Sequence, residues 1–166
     1  NDEEVRSAAL DGSIEDLMEW KPVKPGEHYH VVPGTIHAIG GGLTLVEVQQ
    51  YADITYRLHD YGRPRELHLD NAVEAAYAGP YTVENDAYTQ QDGSELLVAG
   101  PKFRLVRHYW KGALDSLPQR ITSPWWFIPL AGEGVIDERA WQAGDCFLID
   151  EPAPLQAHGE ATALFA

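Results

Sequence analysis

The sequence predicts a mainly β protein of the sandwich or barrel class, with short helices at its N-terminus and once more near the middle. Three observations support this. From Trp20 onward the apolar period is that of strands rather than helices. The second half is a series of short apolar runs spaced by Gly, Pro and Asp. The segment GEGVID, then WQAGDCFLI, also restates the earlier WKPVKPGEHYHVV: WQAGDCFLI and the earlier segment each have Trp, a short spacer, Gly, an acidic residue and then a strand. That echo predicts two related barrels, the second without metal-binding residues.

Composition narrows the function classes. A chain of 166 residues suffices for one good core or for two small barrels sharing one. Lys and Arg number 12 against 26 Asp and Glu, a formal net charge of −14. Nucleic acid and anionic membranes need a positive footprint, so neither is expected as a partner. A phosphorylated small molecule is compatible, because a few local arginines capture phosphate inside an acidic protein. The single cysteine, Cys146, excludes an internal disulfide framework and a Cys-based zinc knuckle. Its setting in the run CFLI predicts a buried, inert thiol. No apolar run reaches the length of a membrane span and no signal peptide is visible, so a reducing cytoplasm is the expected location. The first residue is Asn and the one methionine is Met18. The chain therefore reads as the C-terminal portion of a longer protein.

Taken in order, residues 1–20 read as a helical cover segment of two short helices. Val5, Ala8, Ala9 and Leu10 face one way in the first, which Asp11-Gly12 ends. Ser13 and Asp16 stand in capping-box register before Leu17, Met18 and Trp20. Residues 21–80 read as the C-terminal part of a first barrel. HYHVV is a strand, Pro33-Gly34 a turn and Gly40–Gly42 a hairpin. Leu43–Gln49 is apolar on both faces and interrupted by Glu47, which predicts a sandwiched strand carrying one anomalous carboxylate. In Ile54–His59, Ile54, Tyr56 and Leu58 pack one way while Thr55, Arg57 and His59 point the other. A helix follows over Asn71–Ala78, with Gly79-Pro80 as its stop. Residues 81–95 are polar and read as a linker. Residues 96–166 read as a second, metal-free barrel with strands at Leu96–Ala99, Phe103–Trp110, Pro124–Leu130, Val135–Asp137, Cys146–Ile149 and Ala161–Phe165.

Seven histidines invite a metal reading, and most decline it. His28 and His30 share one strand face but have no carboxylate at short spacing, so a solvent-facing pair is expected. His59, His68, His108 and His158 stand alone. His37 differs in its surroundings. Gly26, five residues, Val32, Pro33, Gly34, two residues and His37 approach the second cupin motif. Val32 replaces that motif's proline, and Gly41 its later asparagine. Such a turn ends a barrel strand so that the imidazole projects into the lumen.

The string GTIHAIGGGLTLVEVQQYADITYRLHDYGRPRELHL is more specific. Its elements G-T-x-H-A-I-G, E-x-Q-Q, the following aspartate and T-Y-R-x-x-D-x-x-R resemble the type I mannose-6-phosphate isomerases, particularly the bacterial short form. The resemblance covers residues 14–80. W-W-F-I-P-L-A-G-E-G is similar to the family's degenerate second cupin. It implies two cupin (jelly-roll) barrels, and a zinc ion with four protein ligands, of which His37 is the last. The other three belong to Q-x-H-P and G-K-x-E motifs that this chain lacks, so the resemblance places them upstream of Asn1. It further implies interconversion of an aldose phosphate and a ketose phosphate through a cis-enediolate. Glu47 takes the position of the family's active-site glutamate, and Arg57 that of its arginine.

Residue chemistry supplies alternatives to these roles. Arg57 offers fixed donors for an enediolate or a phosphate, or else an ion pair with Glu47 or Asp53. Asp53 matches a family position and alternatively orients Arg57. Asp60 and Arg63 read equally as substrate-side groups or as a turn pair. Two other functions compete: a non-catalytic cupin module for sugar binding or regulation, and a cupin metalloenzyme such as a dioxygenase using His28, His30 and His37.

Overall fold

The computed structural model describes residues 1–52, 54–81, 92–114, 117–118, 124–151 and 153–166, and the backbone of 88–89. Chain contacts divide it into two compact units, Asn1–Glu84 and Asn85–Ala166. Among the described residues no helix is long and apolar enough to cross a membrane.

The first unit opens with α1, Asp2–Asp11. The Asn1 side chain accepts from the Glu4 amide and Glu4 reaches back, closing a capping box, while Gly12 ends the helix in the left-handed region. A 3-10 turn, Ser13–Leu17, follows. The expected Ser13–Asp16 box is replaced by Asp11, whose Oδ1 accepts from the Ser13 amide and hydroxyl at 2.9 and 2.6 Å. Ala8, Ala9 and Ile14 pack with Leu58 and Leu69. Helix α2 spans Leu69–Ala75, two residues earlier than expected, with His68 as its N-cap and no side-chain cap. Arg6 pairs with Asp70 at 2.7 Å across the two helices. The N-terminal helices therefore cover α2 and the segment leading into it.

The strands expected at HYHVV, Leu43–Gln49 and Ile54–His59 are a correction. Among the described residues these segments form no ladder, and the isolated bridge of this unit joins Thr35 to Tyr77. A strand persists only where its amides and carbonyls find a neighbour. Without one, apolar residues of both faces lie open: Leu43 and Leu45 are each 49% exposed, and Val46 is 46% exposed.

The second unit is an antiparallel sheet. It comprises β1 (Tyr88–Thr89), β2 (Glu95–Ala99), β3 (Arg104–Leu114), β4 (Trp125–Ala131), β5 (Glu133–Ile136), β6 (Arg139–Gln142), β7 (Phe147–Ile149) and β8 (Leu155–Phe165). The order is β1-β2-β3-β8-β4-β7, with the β5–β6 hairpin joined to β8 through β5. Strand β8 is the spine. One edge pairs with β3 from Val106↔Phe165 to Leu114↔Leu155, and the other takes β4 and then β5. Asp137 and Glu138, both at positive φ, turn the β5–β6 hairpin in the primed geometry that matches strand twist.

Period-two alternation builds the core. Trp125 and Phe127 point inward at 1% and 0% exposure while Trp126 between them stays open. They meet Val106, Ile136, Trp141, Ala163 and Phe165 in one buried cluster. Leu97, Val98 and Leu164 form a second cluster. Gly134 permits the close approach of β5 and β8, since a Cβ there would collide with the Gln156 carbonyl oxygen. Cys146 corrects an expectation: its thiol is exposed. Phe147 and Ile149 take the half-buried positions of the edge strand β7, which leaves Cys146 and Leu148 on its open side.

Candidate active site

The site residues singled out in the sequence all lie in the first unit. The turn before His37 is fixed by a hydrogen bond from the Thr35 amide to the Val32 carbonyl at 3.1 Å. Gly34 sits at φ +87, where an added Cβ would come within 2.7 Å of the Ala75 carbonyl oxygen. Its own carbonyl accepts from the Tyr77 amide at 2.8 Å, so the turn is seated on the C-terminal end of α2. His37 leaves this turn exposed, with Nδ1 2.8 Å from the Thr35 carbonyl oxygen. A carbonyl only accepts, so the contact is a hydrogen bond when Nδ1 carries the proton, and in the neutral ring that leaves Nε2 as the open nitrogen. This is the tautomer a metal ligand needs, with its other nitrogen anchored on backbone.

His37 thus fits one position of a zinc shell. Among the described residues no three His, Cys, Asp or Glu side chains converge to complete one. His28 and His30 are half-buried and Tyr29 between them is exposed, so the shared face is real but is not the solvent-facing one. His59 is tied to α1, its Nδ1 3.3 Å from the Ala9 carbonyl oxygen. His108 is buried in β3.

Glu47 is exposed on a segment outside any ladder, not buried within a sandwiched strand. Asp53 lies outside the described residues. Arg57 is held more firmly. Its amide donates to His68 Nδ1 at 3.2 Å, and its carbonyl accepts from the His68 amide at 2.9 Å. Its Nη1 donates to the Glu66 carbonyl at 3.0 Å. The ion pair recorded for it is with Asp60, at 4.0 Å, rather than with Glu47.

Asp60 gathers three arginines. Its side chain is 4% exposed. Arg63 reaches Oδ1 at 2.8 Å. Arg65 forks onto both oxygens, with Nε 2.6 Å from Oδ2 and Nη2 on Oδ1. The hydrogen bond from Arg65 is the main cause holding the carboxyl below the usual aspartate range; desolvation opposes it, and the charges of Arg63, Arg65 and Arg57 add to it. The same bond raises Arg65. The chain turns through Tyr61 and Gly62, both at positive φ, and closes with the Arg63 amide donating to the Asp60 carbonyl at 2.9 Å. Arg63 also lies 5.8 Å from the Tyr61 ring centre. Sequence reasoning overlooked Arg65. The available signal was R-P-R, two arginines either side of a proline whose ring fixes the chain between them.

A surface cleft of about 450 Å³ lies in the second unit, lined by Glu133, Trp141, Gln142, Asp145 and His158 among others. It contains none of these site residues.

No family model matches the chain. A mannose-6-phosphate isomerase from Streptococcus mutans is 31% identical over 160 residues, covering 89% of this chain and 50% of the relative. The Bacillus subtilis mannose-6-phosphate isomerase ManA is 42% identical over 78 residues, 43% of this chain and 25% of that protein. The crystal structure of the mannose 6-phosphate isomerase from Bacillus subtilis superposes with a TM-score of 0.84 at 27% identity, covering 99% of this chain and 56% of that one. The chain spans about half the length of the Streptococcus mutans relative. In sequence and in its mainly β, cupin-type fold, it is similar to the mannose-6-phosphate isomerases.

Proposed function

We propose that the protein carrying this chain is a zinc-dependent isomerase of the cytoplasm that interconverts mannose 6-phosphate and fructose 6-phosphate through a cis-enediolate. The observation that carries this reading is a likeness to mannose-6-phosphate isomerases running over 89% of the chain. His37, in the tautomer that leaves Nε2 open, is the ligand this chain gives the zinc. The remaining ligands come from Q-x-H-P and G-K-x-E segments of the same polypeptide ahead of Asn1. Two further facts support it: the chain spans half of its relative, and one imidazole cannot complete a shell.

Bound zinc supplies a Lewis acid for the sugar oxygens. The chain's own residues do the rest. Arg57 directs guanidinium donors at the oxygen on which charge develops, which lowers the barrier only where that charge appears. Glu47 is the carboxylate candidate for moving the proton between C1 and C2, and Asp53 binds substrate or orients Arg57. Arg63, held to Asp60 through Nε and Nη2, turns its remaining guanidinium donors to the phosphate dianion.

The test is turnover of mannose 6-phosphate to fructose 6-phosphate, with zinc content measured on the same sample. Glu47→Gln should lower kcat with little change in KM. Sugar phosphate bound without turnover would replace this reading by a non-catalytic sugar-binding module.

A further inference from the structure

We propose that Asp60, forked by Arg65, is a positioning residue that sets Arg57 and Arg63 against the phosphorylated substrate; this rests on the isomerase reading above. Three arginines and one carboxylate leave two positive charges in a protein of net charge −14. That surplus matches a phosphate monoester, which carries about two negative charges at neutral pH. The arginines are not equivalent. Arg65 spends its fork on Asp60, Nε and Nη2 each taking one carboxylate oxygen. Arg63 gives the Asp60 carboxylate Nη2 alone and sends Nε to the Asp60 carbonyl at 3.3 Å, and with its side chain 59% exposed its other guanidinium donors stay open. Arg57 lies at the limit of ion-pair distance with 26% exposure.

The backbone supports the same division. Tyr61 is a non-glycine residue at φ 52, a conformation that costs on the order of 1 kcal/mol and persists only when its surroundings hold it. Asp60 supplies that hold from both ends, through its carbonyl to the Arg63 amide and through its carboxylate to Arg65. Arg63 leaves this turn at a fixed point and stacks by Tyr61. An arginine on an unrestrained loop would instead have to be ordered by the substrate, and that entropy would reduce affinity.

Positioning and simple charge balance predict opposite signs. Were Asp60 only a counter-ion, Asp60→Asn would leave a more positive site that binds phosphate more tightly. Positioning predicts weaker binding despite the added positive charge. In the zinc-loaded protein carrying this chain, titration calorimetry with mannose 6-phosphate and with inorganic phosphate should show affinity falling about tenfold in Asp60→Asn. KM for mannose 6-phosphate should rise with it. Arg65→Lys keeps the charge, loses the fork and should weaken binding in the same direction. Should Asp60→Asn fail to fold, Arg65→Lys decides. Equal or tighter binding in the folded variant overturns positioning while leaving the isomerase reading intact. A wild-type protein that neither binds nor converts mannose 6-phosphate overturns both.

Discussion

The ring Nδ1 of His37 lies 2.8 Å from the carbonyl oxygen of Thr35, two residues earlier, and this short contact decides which nitrogen is available. It selects the Nδ1-protonated form, whereas a free imidazole in water favours the proton on Nε2. Nitrogen-15 NMR of the neutral histidine should show this tautomer for His37. An Nε2-protonated ring would remove the structural reason for treating His37 as a prepared ligand.

Gly34 should tolerate no side chain. Gly34→Ala combines positive φ with a Cβ 2.7 Å from the Ala75 carbonyl, so the turn must move away from α2. The expected cost is about 1–3 kcal/mol in urea unfolding, together with loss of the Tyr77 amide's exchange protection. A neutral effect would show that the turn is not seated on the helix.

Acid should act on each unit through a different group. Asp60 titrates below its unfolded value, so its contribution is present above about pH 4 and disappears as pH falls through the lower folded value. A carbon-detected titration should find its midpoint below the ordinary aspartate value of about 4. In the second unit, burial pushes His108 down and Asp92 partly restores it. The neutral imidazole is therefore favoured in the fold. Stability is full above about pH 6.5 and declines as pH falls through the folded value. His108→Phe should flatten that part of the stability profile, and an unchanged profile would place the acid response elsewhere.

Phe127 is the centre of the second unit's core, edge-on to Trp141 at 5.4 Å and 5.6 Å from Phe165. Phe127→Ala should cost about 3–5 kcal/mol, read as a drop in the denaturant midpoint. Trp126→Ala, one residue away on the open face, should cost much less.

The sequence showed most clearly what depends on local pattern. Trp125, Trp126 and Phe127 alternate as strand residues must, and Gly12 ends the first helix where Asp11-Gly12 predicts. His37 was legible because its turn chemistry, Pro33-Gly34, lies beside it. Non-local facts were harder to read. Leu43–Gln49 has a strand's composition, but a ladder needs a partner, which no residue in the segment reveals. Cys146 was misread because four apolar letters conceal an alternation between the faces of an edge strand. Arg65 reaches Asp60 only because Tyr61 and Gly62 adopt positive φ, and tyrosine gives no hint of that conformation.

The most direct measurement replaces His37 by Ala in the protein carrying this chain and follows zinc content and mannose 6-phosphate turnover together. The account predicts that stoichiometric zinc is lost and that turnover falls by more than about a hundredfold, in parallel, with the fold retained. A variant with full activity and its zinc in place would contradict it.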